Sequence, residues 1–271
     1  MKRREAYEID RESGLALPSY LQRHRRGERL VSKAKRNPEV ANIGPALFIA
    51  SGNHDPFWSS VLLLSPGQDF VDYGPLSKGT ATTTSGASIS SSNQLVSLNT
   101  IAFAGTSGQE AQWASSSLSP PWCLEFYARF AAANVSGGLF GSRSSANKGI
   151  LISGTGGANA VTFACSNASG SSVATSNYAA YTTNTWQHYA LQIDASGNAG
   201  SFLGGVSTGA VTANWTGPIT QGTHWCLGNW SSDVGNIGPV TCQMAWCRVT
   251  AANRYPGTTT FTPPVPPYPT S

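Results

Sequence analysis

Trp122-Cys123-Leu124-Glu125-Phe126-Tyr127-Ala128-Arg129-Phe130 is the stretch on which the fold turns. Trp122, Leu124, Phe126, Ala128 and Phe130 alternate with Cys123, Glu125, Tyr127 and Arg129. A period of two places the first set on one face of a strand and the second on the other. The first face belongs to a core, and the second is expected to be wet or to meet a partner. On that second face Glu125 reads as a solvated carboxylate near Arg129.

Upstream, Asp55-Pro56-Phe57-Trp58-Ser59-Ser60-Val61-Leu62-Leu63-Leu64 ends in an apolar run too short for a helix, closed by Ser65-Pro66-Gly67. That is the signature of a buried strand. Downstream, Gly137 to Gly141, Gly149 to Ser153 and Ala160 to Cys165 read as short strands between Gly/Ser turns. Thr185 to Ile193 reads as a strand that turns through Asp194-Ala195-Ser196-Gly197-Asn198 into Ala199 to Leu203. Trp225 to Trp230 and Val240 to Val249 follow, ahead of a Pro-rich tail, Phe261 to Pro269. Many short strands punctuated by turns, with no credible helix after residue 55, predict an all-β antiparallel two-sheet sandwich or jelly roll. At 271 residues, one large β domain and an arm account for the chain.

Charge divides the sequence. Residues 1–54 hold eleven Lys/Arg and six acids, a net +5; residues 55–271 hold six and seven, a net −1. The formal +4 of the chain is thus a property of the arm, and a basic arm on a near-neutral body suggests tethering to an acidic surface. Pro18 to Arg36 allows one or two short helices that order against a partner, stopped by Asn37-Pro38. Leu17, Leu21, Leu30 and Val31 supply apolar anchors, and Arg23, Arg25, Arg26 and Arg29 supply charge. Because a nucleic-acid arm needs no such anchors, a protein partner is preferred over nucleic acid. Residues 1 to 13 read as a mixed-charge tail that is mobile unless bound.

Met1 to Arg4 is followed by acids, not by the apolar stretch of a secretion signal, and no run is long enough for a membrane span. The chain is therefore expected to stay on the soluble side of the cell that makes it. Cys123, Cys165, Cys226, Cys242 and Cys247 are odd in number and scattered, which fits free thiols. Cys242 and Cys247, five apart on one strand, are expected on opposite faces.

Several of these segments resemble the laminin G-like, concanavalin A-like jelly-roll domains of tailed-bacteriophage structural proteins. The resemblance is carried by Asp55-Pro56-Phe57-Trp58 leading into Val61-Leu62-Leu63-Leu64, by Leu124 to Arg129, and by Thr185-Trp186-Gln187-His188-Tyr189-Ala190-Leu191 with Phe202 to Val206. It closes on Arg248-Val249-Thr250, Arg254-Tyr255, Phe261-Thr262-Pro263-Pro264 and Pro267-Tyr268-Pro269. Ala245-Trp246 stands where that family usually has an acidic pair. The resemblance spans 55–269 and implies a non-enzymatic virion structural protein, a head decoration or a tail or fibre accessory. It would be multicopy, assembled in the host cytoplasm, docked on capsid or tail subunits through residues 1–54, and would display residues 55–271.

The alternative is a carbohydrate-binding adhesin. Trp215, Trp230 and Trp246, with Asn214 and Asn229, are the candidate glycan-binding residues, since sugars stack on aromatic faces and bond amides. Trp246 is expected to point outward, and Trp225, in step with Leu227, into the core. Other chemistries have weaker support. Glycoside cleavage needs two carboxylates flanking one bond, whereas Glu125 stands alone on its strand. No cofactor is expected; calcium would need oxygens from Asp69, Asp72 and Asp233, which as turn residues more often bond backbone amides. His188 has no ligand-spaced Cys or His and reads as a surface or internally satisfied histidine.

Overall fold

The computed structural model describes residues 8–9, 16–17, 55–83, 86–106, 108–145, 148–155, 159–166, 172–177, 181–211, 222–229 and 240–266. In the N-terminal unit, β1 (Glu8–Ile9) pairs antiparallel with β2 (Ala16–Leu17), so part of the expected tail is β ladder. Leu21, Arg23, Arg25, Arg26, Arg29, Leu30 and Val31, and the segment read as helical, lie outside the described residues.

The described residues of 55–266 form an all-β antiparallel sandwich. Strands are numbered along the chain. One sheet contains β3 (Val61–Ser65), β5 (Ala87–Leu95), β6 (Leu98–Ala104), β8 (Trp122–Phe130), β13 (Gln187–Ile193), β14 (Ala199–Leu203), β15 (Val206–Val211) and β17 (Thr241–Thr250). Its order is β15-β14-β13-β8-β17-β6-β5, with β3 also paired to β17. The other contains β4 (Thr82–Thr83), β7 (Ala111–Ala114), β9 (Gly137–Ser145), β10 (Lys148–Thr155), β11 (Ala160–Ser166), β12 (Ser172–Asn177) and β16 (His224–Leu227), in the order β12-β11-β10-β9-β16-β7-β4.

The core lies between the sheets, as the alternation in β8 requires. Trp122, Leu124, Phe126, Ala128 and Phe130 are buried in it together with Leu139, Phe140, Ile150, Phe163 and Trp225 of the facing sheet. Phe126 stacks on Tyr189 at 5.2 Å and meets Phe140 edge-on at 6.0 Å, and Phe140 in turn meets Trp225 at 6.2 Å. Such offset and T-shaped pairs are the favoured geometries of aromatic rings.

A bulge in β17 decides what reaches the other face. Ala245 lies opposite Tyr127 and Arg248 opposite Glu125, so three steps along β17 match two along β8, and Trp246 takes a left-handed φ of 53°. The extra residue reverses the alternation of the strand. Cys242 and Met244 before it and Cys247 and Val249 after it therefore all point into one core. Cys242 and Cys247 do not face opposite sides, because the parity count is broken between them. At the bulge β17 also changes neighbour: residues 241–244 pair with β6 and residues 247–250 with β3.

Candidate functional site

The outer face of the eight-stranded sheet is not wet at Glu125, whose side chain is 0% exposed. Two segments cover it. Asp55 precedes a 3-10 turn, Trp58–Ser60, that leads into β3, and its Oδ1 accepts the Phe57 amide at 2.9 Å. From the other end, the residues after β17 cross back over β13 and β14. The Phe261 amide donates to the Gly205 carbonyl and the Ser207 amide to Thr259, each at 2.8 Å. Tyr255 and Phe261 stack at 3.6 Å over Phe202 and His188, and Tyr127 donates to the Pro264 carbonyl at 3.0 Å. The Pro-rich stretch is thus, as far as Pro266, a strap and not a free tail.

Beneath the strap lies a closed ion network. Arg248 donates through Nε to Glu125 Oε1 at 2.8 Å and through Nη1 to Asp55 Oδ2 at 2.8 Å, with Nη2 at 2.6 Å from Glu125 Oε1. Arg254 repeats the bridge, with Nε 3.0 Å from Glu125 Oε1 and Nη1 3.1 Å from Asp55. Glu125 Oε2 accepts the Tyr255 hydroxyl at 2.6 Å and lies 3.1 Å from His188 Nε2. Burial pushes the Glu125 carboxyl up, but Arg248, the His188 hydrogen bond and Arg254 outweigh it and hold the group well below the ordinary carboxylate range. Burial and Glu125 together push the Tyr255 phenol far up, so it stays a donor. Each guanidinium spans both carboxylates, so two cations and two anions share one set of charge-assisted hydrogen bonds centred on Glu125 Oε1 and Asp55. Glu125 is therefore a buried ion-pair partner and not a solvated carboxylate, because strap and Asp55 exclude water from it. Asp55, Arg248, Arg254 and Tyr255 were visible in the sequence only as parts of the resemblance; their convergence was not.

The candidate glycan residues do not assemble. Trp215, Trp230 and Asn214 lie outside the described residues. Trp246 is on the outer side of the sheet, but only 4% exposed; it fills a second apolar cluster with Val61, Leu64, Leu95 and Ala245, flanked by half-buried Trp58, Tyr73, Leu98, Tyr127 and Trp186. Its expected outward exposure is corrected by that packing: the bulge turns the indole into the junction where β6 gives way to β3. Asn229 is 4% exposed and lies by Glu110, whose carboxyl is pushed up by burial, with Gln112, Cys226, His224 and Asn229 opposing. Trp225 is in the core, as its parity with Leu227 indicates, and opposite Trp113.

Turn aspartates bond backbone, as their context suggested. Asp72 accepts the amides of Leu64, Gly74 and Lys78, and Asp69 the amide of Val71 and the hydroxyl of Tyr73. Asp233 lies outside the described residues. Among the described residues no three His, Cys, Asp or Glu groups converge on a metal position, and no helix is long and apolar enough to cross a membrane.

No protein-family description and no curated protein matches the chain. Solved structures do share its fold. They include the binding domain of Paraclostridial Mosquitocidal Protein 1 (TM-score 0.58, 8% identity, 72% of this chain and 50% of that one). The receptor binding domain of botulinum neurotoxin D is similar (TM-score 0.56, 10% identity, 73% and 50%), as is the botulinum neurotoxin type G receptor binding domain (TM-score 0.52, 13% identity, 72% and 48%). The chain spans about half the length of each. At this identity the likeness establishes a β jelly-roll fold and nothing finer.

Proposed function

We propose that the protein is a non-catalytic recognition and display module, a jelly-roll body carried by a basic arm on a larger particle. The observation that carries this reading is the ion network: Asp55 and Glu125 both engage Arg248 and Arg254 under the strap, and the two carboxylates and Arg248 are closed to solvent. Glycoside hydrolysis needs substrate between two carboxylates, and none can reach these. The network acts instead as a clamp between the opening and the close of the body, leaving outer surfaces free for contact. Fold neighbours named as receptor binding domains support recognition as the use of those surfaces.

The finer reading is a tailed-phage virion component, head decoration or tail or fibre accessory, with residues 1–54 lying over neighbouring subunits and the body bearing a glycan-binding function. It rests on the resemblance of the Asp55–Leu64 and Arg248–Pro269 segments and on the +5 charge of the arm. Deleting residues 1–50 is expected to abolish incorporation into particles while the body keeps its β circular-dichroism spectrum; normal incorporation overturns the anchoring role. Salt-resistant binding to particles, without binding to DNA, separates protein docking from phosphate neutralisation.

A further inference from the structure

We propose that the outer face of the eight-stranded sheet, beyond the strap, carries a binding site for an acidic sugar, built around Arg129 and Trp186; this rests on the recognition reading above. Four elements meet there. Arg129 of β8 donates through Nη2 to Asn184 Oδ1 at 2.8 Å and through Nη1 to Gln243 Oε1 of β17 at 3.4 Å. Gln243 Nε2 donates onward to the Ser92 carbonyl at 2.7 Å. The next residue, Asn93, receives the Trp186 indole Nε1–H on its carbonyl at 2.9 Å. Trp186 stands two residues from Asn184, which closes the ring of contacts.

This ring is preorganised. Asn93 and Asn184 hold left-handed φ values of 53° and 58°, a conformation asparagine tolerates better than most residues, and the indole is pinned by its own hydrogen bond and by packing against the Trp246 cluster. Preorganised groups lose little freedom on binding. Yet Ser92, Asn93 and Asn184 are exposed, and Arg129 and Trp186 are half-buried.

Charge indicates the ligand. Among the described residues Arg129 has no carboxylate partner and bonds only two neutral amides, whereas Arg248 and Arg254 are each matched to carboxylates. Two of its five N–H donors are used, leaving the fork able to take a carboxylate. The neighbouring stretch, 79–109, contains no charged residue, and Ser90, Ser92, Gln94 and Asn99 supply hydroxyl and amide groups there. A guanidinium beside an indole, rimmed by amides and hydroxyls, suits a carboxylated pyranose: carboxylate on Arg129, ring on Trp186, hydroxyls on the rim. An acidic peptide would want apolar anchor pockets, and none of these groups forms one.

The test uses the full chain on a glycan library of uronic-acid and sialic-acid oligosaccharides, their methyl esters and neutral parents, with poly-glutamate as the peptide probe. At least one acidic glycan is expected to bind, its methyl ester tenfold or more weakly. Arg129→Gln should bring the acid down to the ester's level while the protein keeps its β circular-dichroism spectrum and a cooperative melt. Trp186→Phe, which keeps a ring but loses the bond to Asn93, should weaken binding severalfold. Lys78→Gln, a cation engaged with Ser116, should change nothing. Acid binding that survives Arg129→Gln, equal binding of the ester, or tighter Arg129-dependent binding of poly-glutamate overturns the acidic-sugar site and leaves recognition standing. Failure of every glycan and of poly-glutamate overturns both.

Discussion

Replacing Glu125 with glutamine keeps the shape of the side chain and removes its charge. Arg248 and Arg254 would then share Asp55 as their one carboxylate, leaving an uncompensated positive charge at a site where the Arg248, Asp55 and Glu125 side chains are fully buried. Removing one partner of a buried ion pair costs about 3–5 kcal/mol. For a domain of this size about 2–4 °C is lost per kcal/mol, so the melting temperature at pH 7 should fall by roughly 6 to 20 °C. Acid supplies an internal control. Since the folded Glu125 carboxyl is held below its ordinary range, its contribution is complete above the unfolded value of about 4.3 and is lost as pH falls from there through the folded value. The gap between wild type and Glu125→Gln in urea unfolding should therefore narrow on acidification below about pH 4.5. The double variant Glu125→Leu/Arg248→Met leaves the Asp55–Arg254 pair intact and should cost less than the two single variants summed, by at least about 2 kcal/mol. A cost under about 1 kcal/mol for Glu125→Gln, or a gap that ignores pH, would refute the clamp.

The strap should answer to Gly205→Ala: Gly205 has φ +80°, and a Cβ there would run into the Phe261 carbonyl oxygen. Hydrogen exchange at the Phe261 amide, which bonds Gly205, should accelerate before global unfolding. Trp246→Ala should destabilise the body by about 3–5 kcal/mol in urea, the usual cost of emptying a buried aromatic site. All five cysteines are free and buried, and burial raises the thiols of Cys123, Cys165, Cys242 and Cys247. A thiol reagent should be nearly inert toward the native protein and count five groups in denaturant.

Local pattern was sufficient wherever a strand ran undisturbed. The alternation in Trp122–Phe130 places five residues in the core, as found, and the hairpin through Asp194–Asn198 joins β13 to β14 with Asp194 accepting the amides of Ser196 and Asn198. Pattern failed at the bulge. A parity count along Val240–Val249 assigns Cys242 and Cys247 to opposite faces, because nothing in a residue string marks one added step in a ladder whose partner is far away in sequence; it places Trp246 outward, where it is, but does not show the apolar cluster that covers it.

The chain's own residues determined that this is a two-sheet β body with a charged arm, since alternation, turn residues and composition act over a few neighbours at a time. Only the tertiary structure decided what covers the second face. Asp55, Glu125, His188, Arg248 and Arg254 are spread across the body in sequence, and whether a carboxylate is solvated or paired depends on what excludes water above it. That is settled when the strap crosses β13 and β14 and brings Tyr255 onto Glu125.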